Sequence, residues 1–288
     1  MKTVGIIANP TKPGIGEAVA SVRTWSAGRG LDVLAESRIR ELVPAEVSCI
    51  EVDELVERAD LLFAFGGDGT LLAAANRVAA AGRETPIIGV NMGSLGFLTQ
   101  IPGDELPRVL KDLDPHELPV SERMMIAVTV GDSDECHVAL NDVVVAKGAS
   151  SRMLSFAAHV DGELVTRFAA DGLVLATPTG STAYSISAGG PVVMPSVEAI
   201  IATPICPHTL SIRPLVVPPA ARIELEMLSC DDRTVVATDG RPVSSVEPGD
   251  RIVVEKAGAR ARLMVFPGHS YYEILKQKMH WAGRVRER

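Results

Sequence analysis

The stretch LLFAFGGDGTLLAAANR, residues 61–77, decides the fold class of this chain. It opens with an unbroken apolar run, which is typical of a buried strand, and residues 71–81 have the composition and spacing of a helix. Between them, the glycine-rich turn of residues 66–70 follows the carboxyl end of the strand, where open α/β sheets bind their ligands. This order of strand, turn and helix predicts one unit of a parallel sheet.

The rest of the first hundred residues repeats this alternation. Apolar runs predict strands at residues 3–8, 31–36, 61–65 and 86–91, and helical patterns occupy residues 17–28 and 71–81. Strands that alternate with helices are typical of a parallel α/β sheet. We therefore predict a Rossmann-like α/β domain over residues 1–100.

The pattern of apolar and turn residues changes in the second part of the chain. Between residues 123 and 266, short runs rich in Val, Ile, Leu and Thr are separated by turn signals that include two Asp-Gly pairs, VDGEL and TDGRP. Such spacing predicts antiparallel hairpins arranged as two sheets. We predict an all-β domain over residues 101–266 and a C-terminal helical tail over residues 267–288 that packs on the first domain.

Composition excludes several classes of protein. No apolar run reaches the ~18–20 residues that span a bilayer, and the N-terminus lacks the pattern of a signal peptide, so we expect a cytoplasmic protein without membrane contact. The formal net charge of −8 argues against a general nucleic-acid binder. The cysteines and histidines show no zinc-ligand spacing, so we expect no structural metal.

Asp68 is the unusual residue of the glycine turn. Gly66, Gly67 and Gly69 allow close approach of the backbone to phosphates, and Thr70 is predicted to cap the following helix. A carboxylate beside phosphates repels them, so Asp68 must accept a proton, contact Mg²⁺ or bind a hydroxyl group of a second substrate. This chemistry indicates phosphoryl transfer to an alcohol. The alternative is a plain turn residue, because Asp-Gly is a common turn pair.

Two segments of the second part combine polar and apolar residues in ways that indicate a binding site. Asn141 and Asp142 lie between apolar residues, and buried polar groups need partners. The segment ATPTGSTAYSISAGG, residues 176–190, is rich in hydroxyls and small residues, and its Gly and Pro residues exclude a core helix. Its Tyr184 offers a ring for stacking on a base.

The glycine turn resembles the signature of a superfamily that includes NAD kinases and the diacylglycerol and sphingosine kinases, and 6-phosphofructokinases carry a similar loop. Further segments are similar to NAD kinase motifs in the same order along almost the whole chain: NMGSLGFLT (91–99), LNDVVV (140–145), DGLVLATPTGSTAYSISAGGPVV (171–193), PHTLSIRPLV (207–216) and TDGR (238–241). By this resemblance the chain is identified as a member of the NAD kinase family.

The resemblance implies transfer of the terminal phosphoryl group of ATP to the 2′-hydroxyl of the adenosine ribose of NAD, with Asp68 as the catalytic residue. It implies Mg²⁺ or another divalent cation carried with ATP, polyphosphate as a possible second donor, and a homodimer or homotetramer. Gly66, Gly67, Gly69 and Thr70 are then expected at the ATP phosphates. The residues expected to bind NAD are Asp68, Gly69, Asn141, Asp142, Arg152, Asp171, Thr182, Ala183, Tyr184, Ser185, Ser187 and Arg241.

NAD and ATP together bring several negative charges, so cations are needed. The candidates are Lys12, Arg152, Arg213 and Arg241, of which Arg152 falls where the family has a basic or imidazole contact. Two positions depart from the family pattern: Ala169, where some relatives carry a basic side chain, and Arg241, where some carry glutamine. These departures concern the contacts to the nicotinamide ribose and to the phosphates.

Three alternatives remain open at the level of sequence. A lipid kinase shares the glycine turn but should have an apolar entrance and lack the PTGSTAYS segment. A sugar kinase of the phosphofructokinase type needs clustered arginines, and those here are scattered. A non-catalytic dinucleotide sensor keeps the binding loops without turnover.

Overall fold

The computed structural model describes residues 1–94, 96–148, 152–231, 233–268 and 270–281. The chain forms two compact units. The first contains Met1–Glu122 together with the described residues from Arg262 onward, and the second contains Arg123–Ala261.

The first unit is built on a parallel sheet. Its strands are β1 (Thr3–Ala8), β2 (Asp32–Glu36), β3 (Ser48–Ile50), β4 (Leu61–Gly66), β5 (Ile87–Asn91) and β6 (Ile101–Pro102). They lie in the order β6-β5-β4-β1-β2-β3. The helices are α1 (Ile15–Ala27), α2 (Val52–Arg58), α3 (Asp68–Ala80) and α4 (Leu106–Lys111), with a 3-10 helix at Ser37–Leu42. Every residue of β4 and β5 is buried, as expected of central strands in a sheet covered by helices.

The second unit is antiparallel. Its strands are β7 (Val120–Val130), β8 (His137–Ala139), β9 (Asp142–Ala146), β10 (Leu154–Val160), β11 (Glu163–Ala170), β12 (Gly172–Ala176), β13 (Ile200–Ile205), β14 (Leu215–Val217), β15 (Ile223–Ser229), β16 (Val235–Thr238), β17 (Arg241–Ser245) and β18 (Arg251–Met264). The first three residues of β7 and the last three of β18 belong to the first unit. One sheet has the order β14-β13-β12-β9-β16-β17, and in the other β11, β10, β15 and β18 are neighbours. A 3-10 helix at Gly180–Thr182 and a short helix α5 (Tyr184–Ser187) follow β12.

The last helix, α6 (Tyr271–Lys278), belongs to the first unit. The ring of Tyr271 contacts that of Phe97, with 6.4 Å between their centroids. The predicted fold class is therefore confirmed: a parallel α/β domain, an antiparallel two-sheet domain and a helix that returns to the first. The basic end of the predicted tail, residues 282–288, lies outside the described residues.

The unit boundaries differ in position from the predicted domain boundaries at residues 100 and 266. Helix α4 packs on α1, and its Leu106 and Leu110 belong to the same apolar core as Val19 and Val22 of α1. The first unit therefore extends past residue 100, because these leucines bury their side chains in the α/β core.

Two helices begin earlier than the periodicity predicts. Helix α1 begins at Ile15, directly after Gly14, whose φ of +78° suits a glycine. Helix α3 begins at Asp68, after Gly67 in an extended conformation. The prediction that Thr70 caps α3 was therefore wrong, because Thr70 lies inside the first turn and its N–H donates to the Gly67 carbonyl at 3.0 Å.

Candidate active site

The glycine turn lies at the carboxyl edge of the parallel sheet, between the end of β4 and the start of α3. Thr70 leaves no room beside Gly66, because a Cβ at Gly66 would lie 2.8 Å from the Thr70 Cβ. The site around Gly67 and Gly69 is open, since nothing would lie within 4 Å of a Cβ at either position. A ligand therefore has room to approach the backbone at residues 67 and 69, and their contact with phosphates stays a prediction.

Asp68 is half-buried and binds a segment that follows β5. Its Oδ2 accepts the N–H of Phe97 at 2.7 Å, and its Oδ1 accepts the N–H groups of Leu98 at 3.0 Å and Thr99 at 3.1 Å. Gly96 approaches so closely that a Cβ there would lie 2.6 Å from the Asp68 Cγ. The carboxylate thus has a structural partner, which the sequence did not reveal because the donors are backbone groups about 30 residues away.

One oxygen of Asp68 keeps capacity for another donor. A carboxylate oxygen has two lone pairs. Among the hydrogen bonds of the described residues, Oδ2 accepts the one from Phe97, whereas Oδ1 accepts two N–H groups and the Thr99 hydroxyl at 3.3 Å. Oδ2 can therefore accept a hydrogen bond from a hydroxyl group while the 97–99 segment stays in place.

The loop after β1 brings Lys12 to the same edge of the sheet. The N–H of Asn9 donates to the Phe65 carbonyl at 2.9 Å, and the N–H of Lys12 donates to the Asn9 carbonyl at 3.1 Å. The half-buried Lys12 points its ammonium group toward Gly93, since Nζ would lie 3.4 Å from a Cβ at that glycine. Of the four candidate cations, Lys12 is the one that the first unit places at the carboxyl edge.

A cavity of about 490 Å³ lies in the first unit, between α1 and the segments that follow β5 and β6. Its lining includes Glu17, Asn91 and Asp104, but among the described residues neither Asp68 nor Lys12 lines it. Two acidic side chains make this cavity a poor site for the phosphates of ATP. We therefore base the site on the chemistry of the glycine turn and not on the size of this cavity.

In the second unit, Asn141 and Asp142 stand at the start of β9. Asp142 is buried, with 5% of its surface exposed, and Asn141 is half-buried. The Asn141 Oδ1 is buried and has no hydrogen-bond partner within the described residues. A buried amide oxygen without a hydrogen-bond partner lowers the stability of the folded protein. Asn141 therefore has the property expected of a side chain that binds a ligand.

The backbone around Asn141 is held from two sides. On one side, Thr177 donates its hydroxyl to the Leu140 carbonyl at 2.6 Å and its N–H to the Asn141 carbonyl at 2.8 Å. On the other side, the carboxylate of Asp239 accepts N–H groups from residues 140–142. In the sequence, the pair Asp239-Gly240 predicts only a hairpin turn, so this role of Asp239 has no local signal.

Burial raises the pKa of Asp142 to about 7, and the charge of Asp239 adds to the rise. The folded protein therefore holds a proton on Asp142 at pH values where the unfolded chain, with the ordinary pKa of 3.8, has lost it. The resulting stabilisation is complete below the unfolded pKa and is lost as the pH rises through about 7.

We expect the free energy of unfolding of the wild type to fall relative to that of Asp142→Asn as the pH rises from 4 toward 7. One extra bound proton corresponds to a slope of about 1.4 kcal/mol per pH unit at most. Urea unfolding of both proteins at several pH values measures the difference between their free energies of unfolding. The contributions of the other titrating groups cancel in this difference. Parallel curves for the two proteins would show that Asp142 titrates normally.

The segment after β12 forms the 3-10 helix at Gly180–Thr182 and α5, with turns beside them. The hydroxyl of Ser181 donates to the Pro178 carbonyl at 2.7 Å, and the N–H of Val193 donates to the Ser181 hydroxyl at 3.0 Å. Ser185 is buried, and its hydroxyl bonds that of Thr203 at 2.9 Å. Tyr184 and Ser187 are exposed, whereas Thr182 and Ala183 are half-buried. Of these predicted contacts, Ser185 has its hydroxyl directed to the interior.

Asp171 forms an ion pair with Lys147, which is not among the predicted site residues. The Nζ of Lys147 lies 2.5 Å from the Asp171 Oδ1, and the N–H of Lys147 donates to the Asp171 carbonyl at 3.1 Å. Arg152 and Arg241 are exposed. Arg213 donates to the carbonyls of Leu210 and Ile212 in its own loop.

Strand register divides the predicted dinucleotide contacts into two groups. Asp142 pairs with Ala176, and Gly172 pairs with Ala146, so Asn141 and Asp142 lie at one end of the β9-β12 pair and Asp171 lies at the other. Four residues of strand separate the ends by about 13 Å. Asp239 and Arg241, in the turn after β16 and at the start of β17, lie at the same end as Asn141. A ligand that contacts both groups must be elongated.

The described residues contain neither a candidate metal cluster nor a membrane-spanning helix. No group of three or more His, Cys, Asp or Glu side chains in these parts of the chain is placed to hold a metal ion. None of the helices described has the length and apolar character needed to cross a membrane.

Both parts of the chain match models of a known protein family. Residues 4–117 match the family model described as the ATP-NAD kinase N-terminal domain, and residues 140–266 match that of the ATP-NAD kinase C-terminal domain. The curated NAD kinase of Desulforamulus reducens is 40% identical over 282 residues, which is 97% of each chain. That of Syntrophotalea carbinolica is 40% identical over 287 residues, 99% of this chain and 100% of the relative.

Two solved structures are also similar. The crystal structure of yeast NADH kinase complexed with NADH has a TM-score of 0.88 and 27% sequence identity, over 100% of this chain and 90% of the yeast chain. The NAD kinase from Archaeoglobus fulgidus in complex with ATP has a TM-score of 0.75 and 26% identity, over 98% of this chain and 100% of the other.

Proposed function

The chain belongs to the NAD kinase family, and from this premise we propose that Asp68 directs transfer of the terminal phosphoryl group of ATP to the 2′-hydroxyl of the adenosine ribose of NAD. The observation that carries the proposal is the Asp68 carboxylate, held by the N–H groups of residues 97–99 with acceptor capacity left on Oδ2. The hydroxyl of the ribose donates to Oδ2, which fixes its oxygen for attack on phosphorus.

Asp68 acts mainly by position. Phosphoryl transfer proceeds through a loose transition state that gains chiefly from alignment and electrostatics. The bonds from residues 97–99 hold the carboxylate in one orientation before the substrate binds, so little entropy remains to be lost in the complex. As the bond from oxygen to phosphorus forms, the hydroxyl proton passes to Asp68, and the terminal phosphate separates from ADP.

The donor is ATP with its Mg²⁺, a complex that supplies charge neutralisation when bound. A hard cation held mainly by phosphate oxygens needs few protein ligands. The open backbone at Gly67 and Gly69, together with Gly66 and Thr70, is assigned to the phosphates. Lys12 is assigned to the same phosphates, because it lies at the same edge of the sheet.

NAD binding is assigned to residues at the two ends of the β9-β12 pair. Asn141 and Asp142 are placed with Arg241 at one end, and Asp171 is placed at the other, which suits a dinucleotide better than a compact substrate. The exposed ring of Tyr184 is assigned to stacking on a base. Ser185 is assigned a contact through its backbone, because its hydroxyl is hydrogen-bonded to that of Thr203. The remaining assigned contacts are Asp68, Gly69, Arg152, Thr182, Ala183 and Ser187.

The test is an assay of purified protein with each pairing of donor and acceptor. ATP with Mg²⁺ and NAD should yield NADP, detected with an enzyme specific for NADP, and removal of divalent cations with EDTA should stop the reaction. Polyphosphate in place of ATP and NADH in place of NAD define the donor and acceptor range. Binding of NAD without NADP from any donor would instead support a sensor, and phosphorylation of diacylglycerol would support a lipid kinase.

We further propose that the protein acts in the cytoplasm as a homodimer or homotetramer. The absence of apolar spans in the sequence and the family resemblance support this proposal. Size-exclusion chromatography with light scattering measures the mass of the assembly against the 30.5 kDa chain.

A further inference from the structure

The turn that follows β16 contains a carboxylate with an unusual set of partners. The Oδ1 of Asp239 accepts the N–H groups of Asn141 at 2.7 Å and Asp142 at 3.0 Å, and its Oδ2 accepts the N–H of Leu140 at 2.9 Å. Successive backbone N–H groups that converge on one anion form a nest. Here the anion is supplied by the chain itself, from about 100 residues away.

The geometry of the turn does not by itself require these bonds. Asp239 and Gly240 have φ values of +47° and +76°, which suit the two central residues of a tight hairpin. Asp161 and Gly162 form the same kind of turn between β10 and β11, with φ values of +52° and +84°. Among the described residues, the carboxylate of Asp161 accepts one backbone N–H, from Arg222 at 2.9 Å. An Asp-Gly hairpin therefore forms in this unit without a triple contact.

The contacts of Asp239 fix the residues that carry the candidate binding groups. The N–H of Asp239 donates in return to the Asp142 carbonyl at 2.9 Å, and Thr177 holds the carbonyls of Leu140 and Asn141. The N–H and carbonyl groups of this short segment are thus paired with protein on both sides. The Oδ1 of the Asn141 side chain is buried and has no hydrogen-bond partner within the described residues. Because the backbone is fixed, this side chain presents itself to a ligand in one orientation.

A carboxylate at position 239 has an electrostatic cost, because it lies near the buried Asp142. An asparagine would support the same positive φ without the charge. The side chain of an asparagine, however, has only one acceptor oxygen, whereas the three N–H groups bind both oxygens of the Asp239 carboxylate. The charge therefore serves the N–H groups of residues 140–142, since hydrogen bonds to a charged acceptor are stronger than those to a neutral one.

We propose that Asp239 is a positioning residue of the dinucleotide site, which holds the backbone of residues 140–142 so that Asn141 and Asp142 meet NAD in a fixed geometry. This inference rests on the proposed function and extends it to a residue that touches no substrate. It predicts that loss of the Asp239 carboxylate weakens NAD binding and leaves ATP binding and the chemical step largely intact.

The test compares Asp239→Asn with Asp161→Asn, the matched change in the other Asp-Gly hairpin. Asp239→Asn is expected to raise the Kd and KM for NAD about tenfold, as the loss of one charge-assisted hydrogen bond implies. The KM for ATP and kcat should stay within about threefold of the wild type, and Asp161→Asn should leave all four constants near wild-type values. Calorimetric titration with NAD gives Kd without turnover, and thermal unfolding checks that each variant is folded.

The outcomes separate the inference from the function on which it rests. An NAD Kd within twofold of the wild type for Asp239→Asn overturns the inference, and so does an equal rise in the constants for NAD and ATP, which a general structural defect produces. A wild type that binds NAD but forms no NADP overturns the proposed function, while the ratio of the two NAD Kd values still decides the role of Asp239. A wild type that does not bind NAD overturns both.

Discussion

Replacing Asp68 with asparagine is expected to lower kcat for NADP formation by about 10²–10⁴-fold, the range attributed to a positioned general base. The change keeps the shape of the side chain but removes the acceptor on which the ribose hydroxyl depends, because an amide nitrogen at Oδ2 would donate and not accept. The Kd for NAD should change only a few fold. Initial rates at saturating NAD and ATP, together with a direct NAD titration, measure the two effects separately.

The same change also disturbs a structural contact, so it needs a matched control. An amide nitrogen facing the Phe97 N–H would cost about 1–3 kcal/mol of stability. Asp60 provides the comparison, because it immediately precedes β4 and its Oδ2 accepts the N–H groups of Lys2 at 2.5 Å and Thr3 at 3.1 Å. It lies at the opposite end of the strand from the glycine turn.

Asp60→Asn should therefore lower the free energy of unfolding without lowering kcat. A loss of stability in both variants with a loss of kcat only in Asp68→Asn would separate catalysis from folding. If Asp68→Asn turns over at a rate near that of the wild type, Asp68 is a structural residue that anchors the segment at 97–99, and the base must be sought elsewhere.

Replacing Gly180 with alanine is expected to reduce NAD affinity by about 10–100-fold and the free energy of unfolding by about 1–3 kcal/mol. A Cβ at Gly180 would lie 2.7 Å from the Asn141 Cα and closer still to the Asn141 carbonyl group. All of these atoms are backbone, so no side-chain rotation relieves the clash. The segment that carries Asn141 must then move away from Thr177.

The measurement combines urea unfolding with titrations of NAD and ATP. The ATP titration should be little changed, because the glycine turn belongs to the first unit. Gly258→Ala is the control, since Gly258 is exposed in β18 and nothing lies within 4 Å of a Cβ there. It should change the stability by no more than about 0.5 kcal/mol. Unchanged NAD affinity in folded Gly180→Ala would mean that Asn141 does not contact the dinucleotide.

The site residues that sequence could identify are those whose signal is local. Asp68 stands out because a carboxylate occupies a turn otherwise made of glycines, and Asn141 and Asp142 stand out between apolar neighbours. Asp239 has no such signal, since Asp-Gly is ordinary in a hairpin. Its role follows from three N–H groups of residues 140–142, and backbone donors look alike in every sequence.

Burial and partner identity likewise needed the tertiary structure. The pKa of Asp142 depends on the depth of β9 in the second unit and on the nearby Asp239. The hydroxyl of Ser185 was predicted to face a ligand, but it bonds Thr203 in the interior. The antiparallel strands of this part of the chain were predictable, whereas the direction of each side chain depends on which strands become neighbours.

By itself, the sequence determined the alternation of strands and helices in the first hundred residues, the division into a parallel α/β part and an antiparallel part, and the glycine turn with its carboxylate. These features depend on apolar periodicity and turn chemistry, which act over a few residues. Only the tertiary structure decided that Leu106 and Leu110 extend the first unit, that residues 97–99 hold Asp68, and that Asp239 holds residues 140–142. Each of these contacts joins residues far apart in the chain, and their partners are set by strand register and close packing, which no local pattern encodes.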